Sequence, residues 1–507
     1  KQFLVNGFLW ALMAAAGVSF ATGREANAQY GETINGIQTA RATANQLPAG
    51  IDPHIVAGNP ASGLLPGVEA DAGGSDGAAD ARLQAYCYRL CLTDVASNRA
   101  AIAQPAGYRE EDFELLFRAI EAGQSGNFFK LSPMPNRKTD SNNSGGISMD
   151  FIGGNHSLTG GWNYASADPA ARAAVDAAHL YWQEGFIWTL QNHARVPAAI
   201  RNAWASWGYP LDEYTDTGLR TPQLYIREAR RLVNDHVIAQ ADVNQDPGHV
   251  AADPVGMGGY TMDSHNVQRH AGPGTVRNEG DVQVSPARGA YGISYLALAP
   301  RQAEADNLLV PVCLAATHIA FGSIRMEPVF MILGQSAAAA ASLAIADGVA
   351  VQQVDYAGLR ARLLAAGQIL TKSAPVGASD VVVDNADAEG VETTGVWTAS
   401  TATAGYWGSN YLHDGASNKG TCAVAFTPTL PADGTYDVYL RWTAYSNRAT
   451  NAPVDIVHAD GTNTVLVNQT LNGGTWVLVM RTNFNAGTAG RVIVRNGGTT
   501  GHVIADA

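Results

Sequence analysis

The chain has 507 residues, room for about three domains of ~150 residues each and for a large buried core. Hydrophobic residues make up 46% and charged residues 15%, which excludes a disordered, charge-rich chain. Acids outnumber bases 45 to 32, and the five lysines (Lys1, Lys130, Lys138, Lys372, Lys419) stand singly, without the concentrated basic face that nucleic acid or an anionic membrane surface requires.

The first 28 residues, KQFLVNGFLWALMAAAGVSFATGREANA, join one base, an apolar stretch and Ala26-Asn27-Ala28 in the pattern of a signal peptide with an A-x-A cleavage site. An opening Lys in place of Met and a single basic charge weigh against that reading. No other run approaches the ~20 apolar residues that cross a bilayer. GVEADAGGSDGAADA (67–81) reads as an exposed loop. Cys87 and Cys91, four apart in AYCYRLCL, read as small core residues, because a metal site needs further ligands at suitable spacing. With Cys313 and Cys422 they are too few for a disulfide-stapled scaffold.

KTDSNN (138–143) gathers a base, an acid and two amides in one predicted loop. Lys138, Asp140, Asn142 and Asn143 are therefore either substrate-binding groups or ordinary turn chemistry. Asp168-Pro169 predicts a helix start, with Asp as N-cap and Pro at the first position, running through AARAAVDAAHLYWQEGFIWTLQNH. Pro197 begins another through AIRNAWASWG, and PQLYIREARRLV (222–233) predicts a third. Its Arg227, Arg230 and Arg231 either pair with acids on a solvated face or send one guanidinium inward to an anionic ligand.

Within residues 307–348, LLVPVCLAA is a near-continuous apolar run that predicts a buried strand. Glu327-Pro328 then starts a helix whose face is almost all Ala, Gly and Ser, small enough to press on a sheet or a flat ligand. Its positive end follows His318 and Arg325, where the dipole and free N–H groups stabilise an anionic or electron-accepting group. The same pattern also makes a good buried helix with His318 hydrogen-bonded in the core. After a linker at 372–379 the texture changes to short alternating strands broken by Gly, Asn and Asp.

GREANAQYGE (23–32), YRLCLT (88–93), TDSNNSGGISMDFIGGN (139–155), GGYTMDSHNVQR (258–269) and ATHIAFGSIRMEPVFMILGQSAAAAA (316–341), in this order, resemble the FAD-dependent oxidoreductase family often labelled xanthan lyase-like. The resemblance implies an α/β, glutathione-reductase-like flavin fold with helical insertions, whose first βαβ unit binds the pyrophosphate through G-x-G-x-x-G. Its last strand and helix, here 310–345, return to the flavin. No such fingerprint follows a strand in this chain, and Phe8-Leu9-Trp10-Ala11-Leu12 replaces an acidic, glycine-containing stretch of the family. Residues 1–371 are thus expected to be an incomplete flavin region lacking the opening dinucleotide-binding unit. VVVDNADAEGVETTGVWTASTATAGYWGSNYLHD (381–414), TYDVYLRWTAYSNRATNAPVDIVHADG (435–461) and GGTW (473–476) resemble the golvesin/xanthan-lyase-associated carbohydrate-binding-like domain, which implies an all-β sandwich over 380–507.

Flavin dehydrogenation needs a base, and His265 and His318 are the two histidines inside the resembling motifs. Asp263, two residues before His265, shares its strand face and orients it; alternatively TMDSHN is a polar turn that satisfies itself. Arg325 is expected to neutralise a reduced flavin or its phosphates, or else to pair with Glu327, and Gly334, Gln335 and Ser336 to approach the ring or ribityl chain. In the sandwich, Trp397, Tyr406, Trp407, Tyr411 and Trp442 divide between core and sugar-stacking surface, with Trp407, in a Gly-bounded turn, the expected exposed ring. YLRW places Leu440 and Trp442 on one face, Tyr439 and Arg441 on the other. The resemblance thus implies an FAD-dependent oxidoreductase acting on a sugar or glycan-derived substrate at or outside the cell envelope. The rival readings are a non-catalytic glycan-binding protein and a polysaccharide lyase.

Overall fold

The computed structural model describes residues 12–154, 164–371 and 381–507. The chain divides into two compact units, Lys1–Lys372 and Ser373–Ala507. The expected linker at 372–379 and the first eleven residues of the signal-like stretch lie outside the described residues.

In the first unit the helix Pro169–Asn192 starts where its cap predicts, the Asp168 side chain accepting from the Ala171 N–H. Val175, His179, Trp182, Phe186 and Leu190 fall three or four residues apart on its buried face. Trp182 is sandwiched between Phe113 and Phe151, each ring centroid 5.4 Å away. Ala198–Trp204 forms the second expected helix.

KTDSNN is a strand, not a loop: Lys138–Asn143 pairs antiparallel with both Phe129–Met134 and Cys91–Thr93. The turn sits just before it, where Asn136 and Arg137 take positive φ.

PQLYIREARRLV is not a helix. Tyr225 bridges Cys87, and Arg231–Leu232 pairs with Phe20–Ala21. Tertiary pairing overrides the helical propensity of the segment. Its Arg227 and Arg231 are buried rather than on a solvated face. LLVPVCLAA, expected as a strand, is buried but irregular. Pro311 removes a ladder donor from the run, and its amides serve loops instead: Val310 donates to Leu298 O (2.8 Å) and Ala315 to Ala297 O (2.8 Å).

The helix Glu327–Asp347 begins at the predicted Glu-Pro. It corrects the reading that no later run is long and apolar enough for a bilayer, since by length and composition it is. Here its Leu333, Ser336, Ala337, Ala340 and Ala344 are buried against protein. Ser336 Oγ donates to Val255 O at 2.5 Å, and a Cβ on Gly256 would meet Ile332 at 2.8 Å, so only glycine lets the strand Pro254–Gly258 lie this close. Among the described residues every ladder between strands of the first unit is antiparallel, with parallel pairing confined to isolated bridges such as Ile238 with Ala316. The first unit is a mixed helix and strand fold.

The second unit is strand-rich. A five-stranded antiparallel sheet is accompanied by a three-stranded sheet and by the pair Gly434–Leu440 with Val477–Phe484. Val424, Phe426, Val454, Ile456 and Val494 from the large sheet share one core with Tyr411, Leu440, Trp442 and Ile504. Leu440 and Trp442 are buried and Tyr439 is exposed, as the alternation predicts. Of the five aromatic candidates Tyr411 and Trp442 belong to the core, Trp397 and Tyr406 are half-buried, and Trp407 is 42% exposed.

Candidate functional site

The site forms around the short strand Met262–Ser264, paired with Val282–Val284. Alternation along a strand sends successive side chains to opposite sides. Asp263 and His265 accordingly meet on one side, His265 Nε2 lying 3.8 Å from Asp263 Oδ2, while Ser264 faces His318. The helix His318–Ile324, capped by Thr317, presses directly on this strand: a Cβ at Gly322 would stand 2.7 Å from Asp263 O.

On the first side runs a buried line of charge. Asp150 Oδ2 lies 2.7 Å from His265 Nδ1, and Arg227 Nη2 lies 3.1 Å from Asp150 Oδ1. Arg325 Nη2 donates to Asp263 Oδ2 at 2.9 Å. Burial pushes the Asp150 carboxyl up, but Arg227 and His265 outweigh it and hold the group below the usual aspartate value. Arg227 also donates to Cys87 Sγ (3.3 Å) and Asn142 Oδ1 (3.2 Å), and its guanidinium lies 5.5 Å from the Tyr225 ring centre. Burial raises the Cys87 thiol to about 12, so it is no nucleophile at neutral pH.

On the second side His318 Nδ1 contacts Glu228 Oε2 (2.6 Å) and Nε2 contacts Ser264 Oγ (3.0 Å). Arg231 ion-pairs with Glu228 and with Glu25 (2.6 Å). Burial raises Glu25, but Arg231 and the His318 N–H, 2.8 Å from its Oε2, bring it down to about 2. Gln84 joins the two sides: it accepts from the His265 N–H at 3.1 Å and donates to Glu228 Oε2 at 3.2 Å.

His265, Asp263, Arg325 and Asn142 are therefore brought together, and His318 stands behind them through Ser264. The other candidates are elsewhere. Lys138 ion-pairs with Asp212 (2.9 Å) and Glu213, Asp140 with Arg89, and the Asn143 amide donates to Asn142 Oδ1 (2.9 Å). Gly334 and Gln335 sit on the following helix, about two turns past its start, with Gln335 exposed and Ser336 spent on Val255 O. Trp407 lies in the second unit. Asp150, Glu25, Glu228 and Gln84 escaped sequence reasoning. Asp150 and His265 are 115 positions apart, and no spacing links them.

Whether these residues suit FAD has two answers. A diphosphate needs free backbone N–H groups at a glycine loop and helix start. The described residues make no such cradle, and at the His318 helix the amides are taken by Glu25 and Thr317. A flavin ring needs one edge of donors and acceptors. Arg325 Nε and Asn266 Oδ1, a donor and an acceptor, are buried without partners, Arg325 beside Asp263 and Asn266 next to His265 in the chain. The described residues thus offer two unspent polar atoms toward a ring edge and no diphosphate cradle.

The sequence profile of the FAD dependent oxidoreductase family matches residues 11–363, and that of the Golvesin C-terminal domain matches 381–507. A xanthan lyase from Bacillus sp. (strain GL1) is 50% identical over 131 residues, which are 25% of this chain and 14% of that protein. The solved structure of a Paenibacillus xanthan lyase is 48% identical over 26% of this chain and 13% of its own, with a TM-score of 0.26. The Podospora anserina GH26-CBM35 β-(1,4)-mannanase is 17% identical over 23% of this chain and 28% of its own, with a TM-score of 0.18. The chain spans about a seventh of the length of the xanthan lyases it matches. Because the first profile covers well over half of its length, the chain belongs to the FAD dependent oxidoreductase family and carries a Golvesin C-terminal domain.

Proposed function

We propose that the first unit supplies the proton-handling and ring-facing side of an FAD-dependent dehydrogenation of a sugar or glycan-derived hydroxyl, within a glutathione-reductase-like fold. The second unit, residues 380–507, is a glycan-binding β-sandwich, and the chain works at or outside the cell envelope. The observation that carries this reading is the buried line Asp150–His265–Asp263–Arg325. Asp150 accepts from His265 Nδ1–H, which leaves Nε2 as the proton acceptor facing Asp263. His265 takes the substrate hydroxyl proton at Nε2, and Asn142, held by Arg227, hydrogen-bonds the substrate. Arg325 and Asn266 hold the ring edge through their unpartnered atoms. FAD, when bound, supplies the hydride acceptor.

One observation favours a second reading. The exposed Trp407 ring of the second unit, set beside Trp476, suits a chain that acts by binding glycans. The test is to incubate the purified chain with FAD, a dye acceptor and a panel of sugars. Dye reduction is expected, with His265→Asn lowering kcat/KM by about 10²–10⁴-fold at unchanged flavin retention. Loss of all flavin on desalting, with sugar binding kept, establishes the second reading. Unsaturated sugar ends released without any acceptor make the chain a lyase and refute both.

A further inference from the structure

The turn that carries Trp407 is built against a second aromatic turn. Gly405 and Gly408 take positive φ, and a Cβ on Gly405 would meet Gly474 Cα at 3.0 Å. Gly474 is anchored by its N–H on Trp442 O at 2.9 Å. Two glycine turns in contact set the Trp476 ring 5.4 Å from the Trp407 ring at 60°. The exposed Trp407 ring and the half-buried Trp476 ring thus stand at an angle in one unit, a geometry suited to the C–H faces of a bent saccharide chain. The Trp407 N–H is tied to the buried Asp506 carboxylate at 3.1 Å, so the platform is held from below.

Arg441 completes the arrangement. Its guanidinium lies 5.6 Å from the Trp407 ring centre, and its Nε donates to Gly405 O at 3.1 Å. That bond fixes the plane of the group. Among the described residues no carboxylate lies within 4.0 Å of it, and its two Nη groups make no hydrogen bond. A guanidinium fixed beside two indoles, with both outer nitrogens unspent, is arranged to take a carboxylate.

We infer that Trp407, Trp476 and Arg441 form a site for an acidic glycan, the indoles stacking on the sugar rings and Arg441 pairing with a uronate carboxylate. This rests on the glycan-binding reading of the second unit and adds the substrate class. The test is calorimetric titration of the full chain with tetragalacturonate and with neutral cellotetraose. Tetragalacturonate is expected to bind at least about tenfold tighter, with Arg441→Gln removing that advantage and Trp407→Ala abolishing both affinities. Equal affinity for the two probes, or an Arg441→Gln variant that keeps the preference, overturns the inference while the glycan-binding reading stands. Binding of neither probe overturns both. Arg441 is half-buried just after the strand that ends at Leu440, so circular dichroism of the variant is expected to match that of the parent.

Discussion

Replacing His179 by leucine isolates one buried titration. The imidazole lies fully inside the first unit, its Nδ1–H donating to Val175 O at 2.8 Å and its Nε2 buried without a partner. Burial pushes its pKa down from 6.5 to about 4. In that window the unfolded chain binds the proton and the folded one refuses it, so stability is fully present above 6.5 and is lost as pH falls toward 4. The gap, at ~1.4 kcal/mol per pH unit, is worth about 3 kcal/mol. Urea unfolding followed by tryptophan fluorescence, with the two units fitted as separate transitions, reads it at a series of pH values. His179→Leu is expected to cost about 1 kcal/mol at neutral pH through altered packing. Its deficit should then reverse as pH falls, because the wild type loses the titration energy and the variant does not. A stability difference that stays constant between about pH 7 and pH 4 refutes a neutral buried imidazole.

Three further outcomes follow from the same structure. Arg231→Met strips the guanidinium that pairs with both Glu25 and Glu228, and thermal unfolding should show a loss of about 3–5 kcal/mol from the first unit. Gly322→Ala forces a Cβ onto the Asp263 backbone, costing about 1–3 kcal/mol by denaturant titration and shifting the His265 ring resonances in NMR. Asp506 is raised to about 7 by burial, so its ionisation destabilises the second unit as pH climbs from the usual carboxylate range through 7. Asp506→Asn should therefore stabilise that unit by about 2 kcal/mol at alkaline pH, discounted for solvent screening, and by nothing in mild acid, as measured by its melting temperature.

Local chemistry was readable wherever a short segment decides its own conformation. The Asp168-Pro169 start, the Glu327-Pro328 start and the alternation of YLRW all appear as expected, because capping, fixed proline φ and strand period act over a few residues. The ordered motifs likewise pointed to the family, and the Gly-bounded turn to Trp407 as the exposed ring. Sequence also put His265, Asp263 and Arg325 forward, since a neutral-range base beside an acid and a helix-start cation are local signals. What it could not determine were the partners of those groups. REARRL has good helical propensity, yet its C-terminal end pairs with Phe20–Ala21, the preceding Tyr225 bridges Cys87, and Arg227 and Arg231 turn inward to Asp150 and to Glu25. LLVPVCLAA has a strand's composition, but Pro311 lacks a ladder donor and the Val310 and Ala315 amides go to Leu298 O and Ala297 O. Burial in low dielectric makes each unpaired charge costly, so the chain collects complementary groups from distant segments. That matching depends on three-dimensional proximity, which tertiary packing alone sets, and it decides that His265 is held by Asp150 and that Arg441 makes no ion pair within 4.0 Å among the described residues.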